Sequence, residues 1–555
     1  MNKKVCSFPI LFALLTLLIG TCAVVFPASA QAAPTSTGSI TVSGTVARSY
    51  DAYQIFSANV VDGDSDAKTA TDLAWASDAV RDAALPVLHS AGMPKSQTTA
   101  QEASEWLNAD SHLTSALSAQ LARSLQSSGA VSMALNAGRA AELSCGYWLI
   151  VADDAIAQGE AGTAPIMALV GGSAVTVKPK AATPKVQKHV LEDSTAAWQK
   201  AADATVADDL YWRLSATVPA GLTAYDTYTV RFVDTMSAGL DPSKVAASMR
   251  VYVAAGADGG FDAVSAGKDG RAGTEPAKGW TEITAQCATK VAADGKTFTV
   301  RTGDLIAALG GADAFTAGAR VVAVYNAPLN SACNHGIAKG NPNEVYLRYP
   351  RSPFADQSGD AGFTRTPSDD ACAYTWDLAL TKRGSDGDKP LAGAVLSIAD
   401  DRGRTLAADG MWDAEGKATV TTGEDGRVTV SGVDSGKLEV RELKAPKGYT
   451  AFEGTRSVTV KAEGLDVDQV AAAKPKLTIT AESPLRADSA DGSTGSLEAS
   501  LINTPTGTPP SITTGGFMPS TGDMAMYAAA AAAVAGAALI VVALLVKRGG
   551  GSHKE

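Results

Sequence analysis

Alternation of apolar and polar residues is the dominant pattern along the chain. SITVSGTV at 39–46, WDLALTK at 376–382, GEDGRVTV at 423–430 and LEASLIN at 497–503 each switch character residue by residue or nearly so. A strand with one buried face requires that period. Gly, Asp and Asn punctuate these runs at short intervals, the signature of β-sandwiches. One region departs from it. TATDLAWASDAVRDAAL, QEASEWLNA and HLTSALSAQLARSLQSS carry apolar residues three and four apart, which predicts helices between 69 and 128. The strand GYWLIVAD at 146–153 then closes that unit. The expected fold class is mainly β: tandem Ig-like sandwiches, the N-terminal one with a helical insertion. The divisions fall at 38–177, a linker at 178–185, a middle domain at 186–370 and a C-terminal domain at 371–503.

The two ends follow a different pattern. Lys3 and Lys4 precede the apolar run from Phe8 to Gly20, and Ala28-Ser29-Ala30 is a small-residue cleavage site. Residues 1–30 therefore read as a secretory signal peptide. Residues 524–546 are almost unbroken apolar sequence, long enough to span a bilayer, and Lys547 and Arg548 place the tail 547–555 in the cytoplasm. A Pro-, Gly- and Thr-rich linker at 504–517 precedes that span.

Composition narrows the function classes. The chain has 555 residues and a net charge of -11, with no basic block suited to nucleic acid. Four cysteines remain after signal removal: Cys145, Cys287, Cys333 and Cys372. Export permits disulfides, and the three possible pairings stay open, with Cys333 and Cys372 a candidate clamp. The five histidines are scattered singly, and no nucleophile–base pair can be read from them. In the loop 253–273, Asp258 and Asp262 lack the spacing and closing Glu of an EF-hand, so it reads as a surface loop without metal.

Three polar residues fall on apolar strand faces. Leu438, Val440 and Glu442 share one side of their strand; Trp376, Leu378, Leu380 and Lys382 share another; Leu497, Ala499, Leu501 and Asn503 share a third. A buried unpaired carboxylate costs several kcal/mol, on the order of a small domain's stability, so partners are required. Burial favours the neutral form of a lysine and of a carboxylic acid. A neutral Lys382 is a nucleophile, and a protonated Glu442 hydrogen-bonds the Asn503 carboxamide and shuttles protons. Attack would release ammonia and leave a Lys–Asn amide. A buried ion pair, or a lysine snorkelling to water, is the alternative.

VRELKAPKGY at 440–449 resembles the E-box of Gram-positive pilins and CNA-B-type domains, with DKPLAGAVLSI and LINTP in matching places. The resemblance implies an intramolecular isopeptide bond made by Lys382, Glu442 and Asn503, formed once and without cofactors. Met518-Pro519-Ser520-Thr521-Gly522, the apolar span and the basic tail resemble, in that order, a cell-wall sorting signal of the LPXTG type, with Met518 in place of leucine. This implies cleavage between Thr521 and Gly522 by a sortase. KVQKHV, VRFVDTMSAGLD and VVAVYNAPLN extend the resemblance to the middle domain, where Lys188 and Asp234 take the lysine and acid positions. Arg351 follows Val345, Leu347 and Tyr349 at the place of the family's acceptor asparagine. The expectation is that this domain lacks the bond, that Asp234 pairs with Arg351 or Lys188, and that Asn326 is the fallback acceptor. Lys178-Pro179-Lys180 stands where the family's pilin motif ends in Tyr-Pro-Lys, with Lys178 at the tyrosine position, and the resemblance implies Lys180 as the polymerising amine, with Lys178 and Lys185 as competitors.

Taken whole, the chain resembles a sortase-assembled major pilin, not a turnover enzyme. The partners this implies are a class C-type pilin sortase, a housekeeping sortase, identical subunits, minor pilins, peptidoglycan and a host surface ligand. A monomeric wall-anchored adhesin and a pilus base or tip subunit are the alternatives.

Overall fold

The computed structural model describes residues 36–507, except 45–47, 64–66, 110–111, 154–159, 161, 180–182, 221, 257–278, 354 and 356. The signal peptide, Lys180, the loop with Asp258 and Asp262, the sorting motif, the apolar span and the tail lie outside the described residues.

The N-terminal unit is three-layered. A five-stranded sheet is centred on the strands Ser49–Asp62 and Gly146–Ala152. One face carries the helices Asp78–Ser90, Ala100–Asn108 and Ser115–Ser128, packed on Tyr53, Phe56, Leu149 and Val151. The other meets a three-stranded sheet through Tyr50, Ala52, Trp148 and Ile150. Covering both faces explains why all of Gly146–Ala152 is buried. The helices begin at capping side chains: Ser77 accepts from the Val80 N–H, and Thr99 and Glu102 form a reciprocal capping box. Residues 69–75, expected to be helical, belong instead to the strand Lys68–Trp75. Its Thr and Ala positions at 69–71 and 74 pair with Ser49–Asp62, and sheet pairing overrides the helical spacing there.

The middle unit packs a six-stranded sheet on a seven-stranded one. Trp212, Leu214, Phe232, Phe298, Val321, Ala323, Tyr325, Val345 and Leu347 fill the space between them. The C-terminal unit repeats the plan with five- and seven-stranded sheets around Trp376, Leu378, Leu396, Val440, Leu497 and Leu501. In both, side chains from the two inner faces make the core.

A single residue, Thr375, separates the strand Asp369–Tyr374 from Trp376–Gly384. The first belongs to the middle unit's sheet and the second to the C-terminal unit's. The joint is polar and tightly tied. Asp203 Oδ2 accepts from Trp376 Nε1 at 2.6 Å and from the backbone and hydroxyl of Ser435. Asp208 takes both arms of the Arg404 guanidinium, at 2.5 and 2.8 Å. Gly432 has φ 68° and its backbone faces the Val206 side chain, so a β-carbon there would be both strained and in collision.

Candidate functional site

In the C-terminal unit the opening and closing strands lie side by side. Trp376–Gly384 pairs in parallel with Ser496–Pro505, so Lys382 stands opposite Leu501 and Gly384 opposite Asn503. Lys382 and Asn503 are thus diagonal neighbours on one face. Glu442 comes from Gly436–Lys444 in the facing sheet, at the end of the apolar file Leu438, Val440. All three polar residues are buried among core side chains.

Their contacts form a closed set. Lys382 Nζ lies 3.5 Å from Glu442 Oε1 and donates to the Leu501 carbonyl at 3.3 Å. Asn503 Nδ2 donates to the same Glu442 Oε1 at 2.9 Å. Glu442 Oε2 accepts from the Phe452 N–H at 3.1 Å. The turn after the strand makes that contact possible: Tyr449 N–H bonds the Pro446 carbonyl, and Gly448 supplies φ 86°. Burial outweighs the pull of Glu442 and lowers the Lys382 pKa to about 8. Asn503 Oδ1 has no hydrogen-bond donor among the described residues. A half-turn of the carboxamide exchanges its two ends and would turn that oxygen toward Glu442.

The middle unit holds a second such set. Lys188, on Val186–Glu192, ion-pairs with Asp234 on Arg231–Met236, and both are fully buried. Lys188 Nζ also donates to the Tyr325 hydroxyl at 2.9 Å, and that hydroxyl donates to Asp234 Oδ2 at 3.0 Å. Asn343, fully buried on Asn341–Pro350, donates through Nδ2 to the same Tyr325 oxygen at 2.8 Å. Asn343 and Asp234 sit on adjacent strands, where Asn343 pairs with Met236 and Asp234 with Val345. The rings of Trp212 and Tyr325 each lie 5.4 Å from Lys188 Nζ. Burial lowers the Lys188 pKa to about 8 and raises that of Asp234, so both groups move toward their neutral forms.

Of the two partners expected for Asp234, Lys188 is the one present, whereas the expected fallback Asn326 stands elsewhere. Asp234 pairs with Lys188 and not with Arg351, which lies just beyond the strand end, where its carbonyl accepts from the Gly162 N–H. Nor does Asn326 reach the site. Its carboxamide is held by the Leu210 N–H at 3.0 Å and by Asp209 at 2.6 Å. The strand Arg320–Asn326 is buried on both faces, so alternation could not show which face looks inward. Val321, Ala323 and Tyr325 face the main core, whereas Val322 and Val324 join a small outer cluster with Tyr252 and Trp280. Asn343 went unread although it shares the face of Val345, Leu347 and Tyr349. Its signal was an asparagine two residues before that apolar file, at the opposite end from Arg351.

The remaining candidates are simpler. Lys178 and Lys185, flanking residue 180, are exposed. Cys333 and Cys372 do not form the candidate disulfide: all four described cysteines are free. Cys372 is buried with its thiol toward the Ala373 carbonyl, and the Cys333 sulfur faces His335.

Residues 377–474 match the family model described as the SpaA prealbumin-like fold domain. The trypsin-resistant surface T6 protein of Streptococcus pyogenes serotype M6 is 30% identical over 143 residues. That match covers 24% of this chain, and the chain spans about a quarter of the relative's length (24%). Among solved structures, the T6 backbone pilin of the same serotype aligns with 85% of this chain and 98% of its own, at 17% identity and a TM-score of 0.46. The full-length major pilin SpaD of Corynebacterium diphtheriae aligns with 86% of this chain and 100% of its own, at 15% identity and a TM-score of 0.42.

Proposed function

We propose that this chain is the shaft subunit of a covalently polymerised, cell-wall-anchored pilus, strengthened by two internal Lys–Asn crosslinks. The observation that carries the proposal is the buried Lys382–Glu442–Asn503 set between the first and last strands of a SpaA-type domain. The Lys188–Asp234–Asn343 set supports it independently.

The chemistry is the same in both domains. The neutral lysine amine attacks Cγ of the asparagine. The carboxyl group polarises the carboxamide oxygen, passes its proton to the leaving nitrogen and takes up the proton that the attacking amine loses. One C–N bond forms, one breaks, and ammonia departs. Lys382 would join Asn503, and Lys188 would join Asn343. The middle-domain pair suits the reaction when it holds one proton in total, on Asp234. Bond formation in chain refolded from an unlinked, unfolded state should therefore follow a bell in pH. The rate should fall above about pH 8, where the pair loses its single proton. It should fall again in acid, where Lys188 and Asp234 are protonated together. Stopped-time mass spectrometry across pH measures this; a rate rising monotonically to pH 10 would count against the carboxyl's role.

Assembly uses other residues. A sortase would cleave after Thr521, within the motif Met518-Pro519-Ser520-Thr521-Gly522, and transfer that carboxyl to Lys180 of a neighbour. Pro179 and Pro184 keep the linker extended, which suits an amine that must enter another protein's active site. Lys180→Ala should abolish the high-molecular-weight ladder on cell-wall extracts and leave monomer on the wall, whereas Lys178→Ala and Lys185→Ala should retain the ladder. A ladder that persists in Lys180→Ala would move the junction to another lysine. Absence of any ladder in the parent would favour a monomeric anchored adhesin.

A further inference from the structure

The loop 330–340, between the strands Arg320–Asn326 and Asn341–Pro350, reaches across the joint between the middle and C-terminal units. Gly336 N–H bonds the Thr375 carbonyl, and Ile337 N–H bonds the Gly492 carbonyl. This brings Cys333 and His335 of the loop against Asp377 of the C-terminal unit. Cys333 Sγ lies 3.6 Å from His335 Nε2, and His335 Nδ1 lies 2.8 Å from Asp377 Oδ1, on the first strand of the C-terminal unit. The Nδ1–Asp377 contact is a close polar contact without the alignment of a hydrogen bond. His335 and Asp377 are 28% and 34% exposed, so small molecules can reach them.

We propose that Cys333 is a base-assisted nucleophilic thiol that takes up low-molecular-weight disulfides at this joint, with His335 as the proton acceptor and Asp377 as a positioning residue. The inference does not depend on the pilus reading. Asp377 favours the imidazole tautomer with its proton on Nδ1, which leaves the Nε2 lone pair toward sulfur. In the reaction the Cys333 S–H proton passes to His335 Nε2 while the sulfur attacks one sulfur of the disulfide. A new S–S bond forms, the old one breaks, and the departing thiolate recovers the proton from His335. The disulfide is the oxidant, and one free thiol is released for each one consumed.

The chain carries its own control. Cys287 is also half-buried, and its thiol points at the Ile283 carbonyl with no imidazole beside it among the described residues. Burial pushes the Cys287 and Cys333 thiols alike up to about 11, so neither is an appreciable thiolate at neutral pH. A difference in their rates would then report the base and not the exposure of sulfur. The experiment incubates the full chain with oxidised glutathione at pH 7 and follows each cysteine by peptide mass mapping. Cys333 should form the mixed disulfide about a hundredfold faster than Cys287, at the low end of what a positioned base supplies. His335→Gln should bring Cys333 down to the Cys287 rate. Asp377→Asn should slow it and displace the pH profile of its modification, which a purely structural aspartate would not do. Equal rates at the two cysteines of the unmodified chain, a comparison that needs no variant to fold, would overturn the proposal. So would an unchanged Cys333 rate in His335→Gln.

Discussion

The exported chain is expected to be lighter than its sequence by two molecules of ammonia, before any sortase acts on it. Intact mass of the fragment from Gln31 to Gly515, made without sortase, measures this directly. Asn503→Ala should restore one ammonia and Asn343→Ala the other, each confined by peptide mapping to its own domain. Asparagine variants serve better than lysine variants here. They remove the acyl donor yet leave the buried Lys382–Glu442 and Lys188–Asp234 pairs intact. Removing a lysine instead would strand a buried carboxylate at a cost of about 3–5 kcal/mol, and the variant could fail to fold for that reason alone. Asn326→Ala should leave the mass deficit untouched, because its carboxamide is engaged with Asp209 and Leu210. A deficit of one that Asn503→Ala abolishes would confine crosslinking to the C-terminal domain. No deficit at all would reduce both sets to buried ion pairs.

Asn503→Ala should also lower the thermal transition of the C-terminal domain by roughly 10–30 °C. The crosslink would close a loop of about 120 residues, and the loop-entropy relation for a covalent tie gives about 5 kcal/mol for that length. That relation depends on loop length and not on bond chemistry, so an amide should act as a disulfide does. A domain of this size shifts by several degrees per kcal/mol. Reducing agent should leave the unmodified protein's transition in place, since no disulfide is involved. Calorimetry of the two chains settles it: transitions within about 2 °C of each other would mean that no tie exists.

Much of this was legible in alternation alone. Lys382, Glu442 and Asn503 each continue an apolar file, and each file is buried as its period demands. Lys188 and Asp234 could be placed the same way. Alternation failed where a strand is covered on both sides, as at Arg320–Asn326, since every residue there looks like core. It also gave no direction along a strand, which is why Arg351 drew notice at one end while Asn343 stood at the other. Helical spacing misled at 69–75, where small and polar residues accept either geometry and the neighbouring strand decides. The Cys333–His335–Asp377 cluster was illegible for a different reason. Asp377 belongs to a different domain, and only the path of the loop 330–340 across the joint brings it near.

The parallel pairing of Trp376–Gly384 with Ser496–Pro505 has a mechanical consequence. The chain enters the C-terminal domain at the start of the first strand and leaves it at the end of the second. Because the strands run the same way, entry and exit lie at opposite ends of the ladder. A pull on the two termini therefore slides one strand along the other and does not peel them apart. Sliding loads the register from Asp377↔Ser496 to Gly384↔Asn503 all at once, whereas peeling would break those pairs one after another. Even before any covalent tie forms, a freshly folded subunit would resist extension in its strongest direction, and the Lys382–Asn503 bond would lock the same two strands near the exit.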